Sequence, residues 1–213
     1  MDIKWLGHSC FMMTDKSGTR ILTDPYDPSI GKELEPVEAD IVTISHEHHD
    51  HSYLHAIKNK PEIVNKVGEF NINGIRIRGF LTKHDDKDGA LRGENRMYLF
   101  YIDGMRVLHA GDLGAIPPQS TLNDIGEIDV LLVPIGGTYT INSLQALELA
   151  NLLKPKVVIP MHYKTKNFMP MLDGVDNFLR QSKNCRIHRL NESLATLEPG
   201  YLGEDRILVL SVD

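Results

Sequence analysis

Ile41-Val42-Thr43-Ile44-Ser45-His46-Glu47-His48-His49-Asp50-His51 decides how the chain is read. Ile41 to Ile44 is apolar and β-branched, the composition of a buried strand. Ser52 to Lys58 follows as a short helix. The spacing His-x-His-x-Asp-His therefore falls on the loop at a strand's C-terminal end, where sheet-based enzymes carry their sites. Residues two apart in extended chain point the same way, so His46 and His48 can grip one metal ion together. Asp50 and His51 are adjacent and are better placed to reach a second ion. Neutral imidazole is the commonest protein ligand for zinc-like metals, and aspartate supplies oxygen.

Working outward, the same arrangement recurs. Ile3 to Leu6 and Cys10 to Met13 read as strands about a Gly7-His8-Ser9 turn, and Arg20 to Thr23 returns as a third strand ending at Asp24-Pro25. Asp15 to Gly18 is a hairpin signal between them. Short strands at this pace begin an antiparallel sheet. Asp27 to Asp40, polar and Pro-containing, is a surface loop. Ile63 to Val67 and Ile75 to Phe80 are further strands, with a hairpin at Asn73-Gly74, and the second runs on to His84. Met97 to Tyr101 and Arg106 to His109 are strands joined at Asp103-Gly104, and the latter ends at Gly111-Asp112. Ile128 to Val133 is a buried strand. Ser143 to Leu153 is helical, with Ser143 as N-cap and Leu144, Leu147 and Leu152 as apolar positions. Lys156 to Pro160 is a buried strand ending at Met161-His162, Asp173 to Gln181 a helix, and Arg206 to Leu210 a closing strand. His84, Asp112 and His162 thus each follow an apolar β run. Two ions need more donors than the first loop supplies.

His84 and His109 compete for one donor position. His109 stands three residues before Asp112, and an odd offset in extended chain sends the two side chains to opposite faces. His84 ends its own strand and opens a Gly-containing loop, so it is preferred, and His109 reads as a packing residue or as one that supports a ligand from behind. Asp24 suits the anchoring of a ligating imidazole through its second ring nitrogen. His8 and Ser9 read first as a strand–turn pair and second as residues that line the same edge. Glu47, His49 and His55 read as solvated or packing residues, and His188 carries no role. Arg92, Tyr139 and Lys164 fall on loops that should open near the metals. Arg92 and Lys164 could hold a phosphate or carboxylate, and Tyr139 could stabilise an oxyanion.

Composition sets the outer bounds. The 213 residues, 41% hydrophobic and 24% charged, suit one soluble globular domain with a sizeable core. A net charge of −6 without a Lys/Arg run argues against a nucleic-acid partner. Cys10 and Cys185 make no disulfide framework, and Cys10 reads as a small core residue. No signal peptide or long apolar run is visible, so no membrane insertion is expected and the expected location is cytoplasmic.

Trp5-Leu6-Gly7-His8, Thr23-Asp24-Pro25, His46 to His51, Gly111-Asp112 and Pro160-Met161-His162 together resemble the metallo-β-lactamase-fold superfamily of metal-dependent hydrolases. The likeness is greatest to its short single-domain zinc-dependent hydrolases, and more distant to ascorbate-phosphate lactonases and N-acylphosphatidylethanolamine phospholipases D. The resemblance implies an α/β (α+β) fold, a four-layer αβ/βα sandwich, over residues 1–213. It implies two divalent ions, one on His46, His48 and His84, the other on Asp50, His51 and His162, with Asp112 bridging. The donors are nitrogen and oxygen only, so zinc comes first, with manganese, iron, cobalt or nickel compatible. The implied activity is hydrolysis of an ester, lactone or phosphodiester in a small-molecule substrate by a metal-bridging hydroxide, with Asp50 orienting the nucleophile or shuttling a proton. The rivals are an iron oxidoreductase of the same fold, such as a persulfide dioxygenase, and a metal-binding protein without turnover. Flavin-linked iron relatives resemble His-x-Glu-x-Asp, whereas this chain has His48 in the middle place. A ribonuclease would call for an RNA-docking insert, which the sequence lacks.

Overall fold

The computed structural model describes residues 1–166, 168–202 and 206–212. The strands are β1 (Asp2–Gly7), β2 (Cys10–Thr14), β3 (Arg20–Thr23), β4 (Ile41–Thr43), β5 (Glu62–Val64), β6 (Gly68–Ile72), β7 (Ile75–Lys83), β8 (Glu94–Ile102), β9 (Met105–His109), β10 (Val130–Pro134), β11 (Val157–Met161), β12 (Arg186–Arg189), β13 (Leu194–Thr196) and β14 (Arg206–Val209). The helices are α1 (Gln119–Ile125), α2 (Ser143–Leu153) and α3 (Val175–Gln181). Two mixed sheets result, ordered β13-β1-β2-β3-β4-β5 and β12-β14-β11-β10-β9-β8-β7-β6. Two sheets with helices in the connections answer to the sandwich expected from the sequence.

Each sheet has an antiparallel half and a parallel half, and the turns explain which is which. The Asp15 carboxylate accepts from the Ser17 and Thr19 amides and reverses the chain between β2 and β3. At Asn73-Gly74 and Asp103-Gly104 both turn residues take positive φ (52° and 81°, 49° and 76°), the two-residue geometry that matches strand twist. These hairpins join β6 to β7 and β8 to β9, and β7 pairs antiparallel with β8 across the 84–93 loop. From β9 onward the connections are long, and β9, β10, β11, β14 and β12 lie parallel. β10 is buried at every residue, as a parallel strand covered on both faces should be. The apolar residues of both sheets form one connected core around Trp5, Phe11, Phe100 and Phe178.

All three α-helices sit in the connections of the eight-stranded sheet. The connections of the six-stranded sheet carry single 3-10 turns, Pro28–Ile30 and Leu54–Ala56. The expected helix after His51 is therefore only the second of these turns. Tyr53 N donates to Pro25 O and Ile57 pairs with Val37, so neighbouring chain holds the segment and no helix propagates. The strand expected over residues 63–67 stops at Val64, and β6 begins at Gly68 with φ 121°. The N-cap of α2 is Asn142, not Ser143: its side chain accepts from the Leu144 and Gln145 amides, and Gln145 answers to the Asn142 amide. The buried face of α2 is Ser143, Ala146, Leu149 and Leu153, while Leu144 and Leu152 face solvent. Among the described residues no helix is long and apolar enough to cross a membrane.

Candidate metal centre

The fold brings the ends of six strands together. His8 follows β1, Asp24 follows β3, His46 to His51 follow β4, His84 follows β7, Asp112 follows β9 and His162 follows β11. Three of these residues, His8, Asp24 and His162, hold φ of 53°, 40° and 49°. Non-glycine residues seldom take that conformation, and it collects where a site over-determines the backbone. At Gly111, with φ 57°, a Cβ would collide with Asn95 Oδ1 and the Ser45 side chain. Glycine there lets Asn95 Oδ1 accept from the Asp112 amide at 2.9 Å.

Two clusters of donors meet at Asp112. His46, His48 and His84 stand with ring centroids 4.5, 4.6 and 5.1 Å apart, pairwise. Asp112 Oδ2 lies 3.2 Å from His51 Nε2, 3.3 Å from His84 Nε2 and 3.2 Å from His162 Nε2. Asp50 Oδ2 lies 3.8 Å from His51 Nε2. Candidate ligand atoms of His46, His48 and His84, and of His46, His51 and Asp112, all fall within 4.8 Å of one another in each set.

Buried polar partners hold this arrangement. Asp24, fully buried, accepts from Ser45 N (2.7 Å), Ser45 Oγ (2.6 Å) and His51 Nδ1 (2.8 Å). Ser45 Oγ also reaches His46 Nδ1 at 2.9 Å. His51 and His46 are therefore each fixed through Nδ1, which leaves Nε2 to face the cluster. His46 Nε2 is buried with no hydrogen-bond partner. An orphaned lone pair of that kind is costly unless something binds it, so the donor set fits a metal ion.

The charges pull against burial. Burial opposes a charged His51, but the Asp112 and Asp24 carboxylates outweigh it and push His51 well up. Burial likewise opposes the Asp112 carboxylate, yet His162 and His51 hold it well below the usual range. Burial and the neighbouring His51 lower His46 to about 2. Burial and His162 lower His8 to about 4 against the pull of Asp50. The site thus favours ionised carboxylates and, at His46 and His8, neutral imidazoles, the protonation states that bind cations.

His48, Asp50, His84 and Asp112 open into a cavity of about 460 Å³, also lined by Arg92, Tyr139, Ile30 and Met169. The Arg92 guanidinium lies 4.5 Å over the Tyr139 ring. Lys164, expected at this mouth, is not among its lining residues. Its amide donates to Asp173 O and its exposed side chain borders a separate cavity with Trp5 and Arg189. His109 is buried away from the clusters, with Nε2 at 2.8 Å from Ser9 O. Glu47, His49, His55 and His188 are exposed. The sequence favoured a strand–turn reading for His8 over a place along the site's edge, yet its Nε2 lies 3.1 Å from His51 Nε2. Its signal was a position at a strand end, shared with the other donors.

Two facing mixed sheets with a His/Asp cluster at the strand ends define a metallo-β-lactamase-like protein. The chain belongs to the β-lactamase superfamily domain family, whose pattern matches residues 2–162. It is 31% identical over 193 residues to a UPF0173 metal-dependent hydrolase of Thermococcus onnurineus, covering 76% of this chain and 84% of that one. A UPF0173 protein of Pyrococcus furiosus is 33% identical over 193 residues, covering 78% and 84%. The crystal structure of a metallo-β-lactamase superfamily protein from Thermotoga maritima is 37% identical and covers 98% of each chain, with a TM-score of 0.80.

Proposed function

We propose that the chain works as one domain over residues 1–213, a binuclear metal-dependent hydrolase of small esters, lactones or phosphodiesters. The observation that carries this reading is Asp112 Oδ2, within 3.3 Å of three imidazole nitrogens contributed by three separate segments. A carboxylate in that position suits two cations, with His46, His48 and His84 holding one and Asp50, His51 and His162 the other. The nitrogen and oxygen donor set suits zinc first. Bound cations there would lower the pKa of a water to about 7 from about 15.7 and polarise the bond to be cut.

The chain's own residues do the rest. Asp24 and Ser45 orient His51 and His46, so the metal-facing nitrogens are preset. Asp50, partly exposed at the cavity, can orient a water or pass on a proton through the carboxylate oxygen that the ion does not take. Arg92 supplies a cation for a phosphate or carboxylate on the substrate, and Tyr139 beneath it steadies the guanidinium. The related proteins named metal-dependent hydrolases support the reaction class.

The test is a screen of lactones, esters, thioesters and phosphodiesters, using protein reconstituted separately with zinc, manganese and iron. Turnover is expected in at least one class, with metal content approaching two equivalents. A firm plateau at one equivalent would contradict the binuclear reading.

A further inference from the structure

His8 is fully buried, sits in a left-handed backbone conformation and faces the second cluster rather than the core. Its Nε2 lies 3.1 Å from His51 Nε2 and 3.4 Å from Asp50 Oδ2, and its ring centroid is 4.2 Å from that of His162. A candidate ligand atom on each of His8, His51 and His162 falls within one 4.8 Å set. We propose that His8 supplies a further nitrogen donor to the ion held by Asp50, His51 and His162. This rests on the binuclear reading above.

The distances separate a ligand from a hydrogen-bond partner. A charge-assisted bond from an imidazole to a carboxylate spans about 2.7–2.9 Å, shorter than the 3.4 Å between His8 and Asp50. Two donors bound about 2.0–2.1 Å from one five-coordinate ion, at angles of about 90–120°, stand about 2.9–3.6 Å apart. The separations of His8 from His51 and from Asp50 fall in that range. The proton count agrees. With an ion bound, His51 Nδ1 stays committed to Asp24 and its Nε2 has to present a lone pair. A hydrogen bond from His8 would occupy that lone pair and remove His51 from the metal. A shared cation uses both lone pairs. The backbone has a matching feature: Trp5 Nε1 donates to His8 O at 3.0 Å, which pins the strained residue in place.

His8→Gly is the informative variant, because a positive φ suits glycine and the fold should survive. Metal would be titrated into apo wild type and apo His8→Gly against a chromophoric chelator. Cobalt spectra and thermal melts of both apo proteins would be recorded alongside. The expected result is two equivalents in wild type. In His8→Gly the first equivalent keeps its affinity, while the second weakens by about 100-fold or more, beyond the 10–100-fold typical of an outer-sphere change. The cobalt bands of the second equivalent should shift, and added imidazole should restore them. If His8→Gly fails to match the apo wild-type melt, His8→Asn, which tolerates the same backbone without an imidazole, is read by the same criteria. An unchanged second equivalent with unchanged cobalt bands in the folded variant would overturn the assignment and leave the binuclear reading standing. A wild type that binds a single equivalent would overturn both.

Discussion

Asp24 shows how much of the site hangs on a residue that touches no substrate. Its carboxylate receives the Ser45 amide and hydroxyl and the His51 ring, and through Ser45 it also reaches His46. Asp24→Asn keeps the shape but replaces one acceptor oxygen by a donor. Metal affinity should fall about 10–100-fold, measured by chelator competition, with a stability loss of about 1–3 kcal/mol in denaturant titration. Asp112→Asn should be harsher. A neutral amide cannot offset two cations, so turnover should be lost while the protein stays folded; full activity in this variant would contradict the bridging role. Most of this was legible from residue types alone, because His-x-His-x-Asp-His and the strand-end His84, Asp112 and His162 are polar interruptions of apolar runs. Lys164 was expected at the mouth, and its place in the fold does not follow from its place in the sequence. Only the folded chain reveals that its backbone is tied to Asp173 and that its side chain leaves the mouth. His8 was underread because a single histidine beside a glycine carries no spacing.

Elements were legible where turn chemistry dictates them. Asn73-Gly74 and Asp103-Gly104 fix the β6–β7 and β8–β9 hairpins, and the antiparallel pairing of β7 with β8 then carries His84 and Asp112 to the same edge. The helix α2 was found, but its apolar positions Leu144, Leu147 and Leu152 do not mark its buried face. Its leucines are spread round the axis, so periodicity does not choose a face, and the small Ala146 belongs to the buried stripe. Successive residues step about 100° around a helix, so an N-cap shifted from Ser143 to Asn142 redefines the first turn. The two assignments make opposite predictions. Leu149→Ala should cost about 2–5 kcal/mol and Leu144→Ala less than about 0.5 kcal/mol by chemical denaturation. Asn142→Ala should cost about 1 kcal/mol through loss of the cap, with metal content unchanged. Equal losses at Leu144 and Leu149 would mean the helix is rotated. The helix α1 escaped the sequence reading because it is a short segment of mostly polar residues after Pro117-Pro118, with only Leu122 and Ile125 buried.

At the scale of the whole molecule the sandwich has two ends with different tasks. Donors gather where β9 and β11 finish, while Asp129 stitches the starts of β9, β10 and β11. Its amide donates to Arg106 O at 2.8 Å, its carbonyl accepts from Val157 N at 3.0 Å, and its carboxylate takes Lys156 Nζ and the Arg106 amide, both at 2.8 Å. Burial works against this carboxylate, but Lys156 and the Arg106 amide outweigh it and hold Asp129 below its ordinary value. A depressed carboxylate stabilises the fold fully above the unfolded value of about 3.9, and that contribution disappears as pH falls through the folded value. Asp129→Asn should therefore destabilise the apo protein by about 1–3 kcal/mol at pH 7. The difference from wild type should shrink toward zero below about pH 4. Comparing the two apo proteins isolates this group, because Asp24 and Asp112 titrate identically in both. A gap that stays constant from neutral pH to about pH 3 would show that the loss is packing rather than charge. Metal affinity should be equal in the two proteins, since distant sites without shared partners contribute additively. A shifted metal affinity would mean that the strand starts and the metal edge are coupled along β9 to β11.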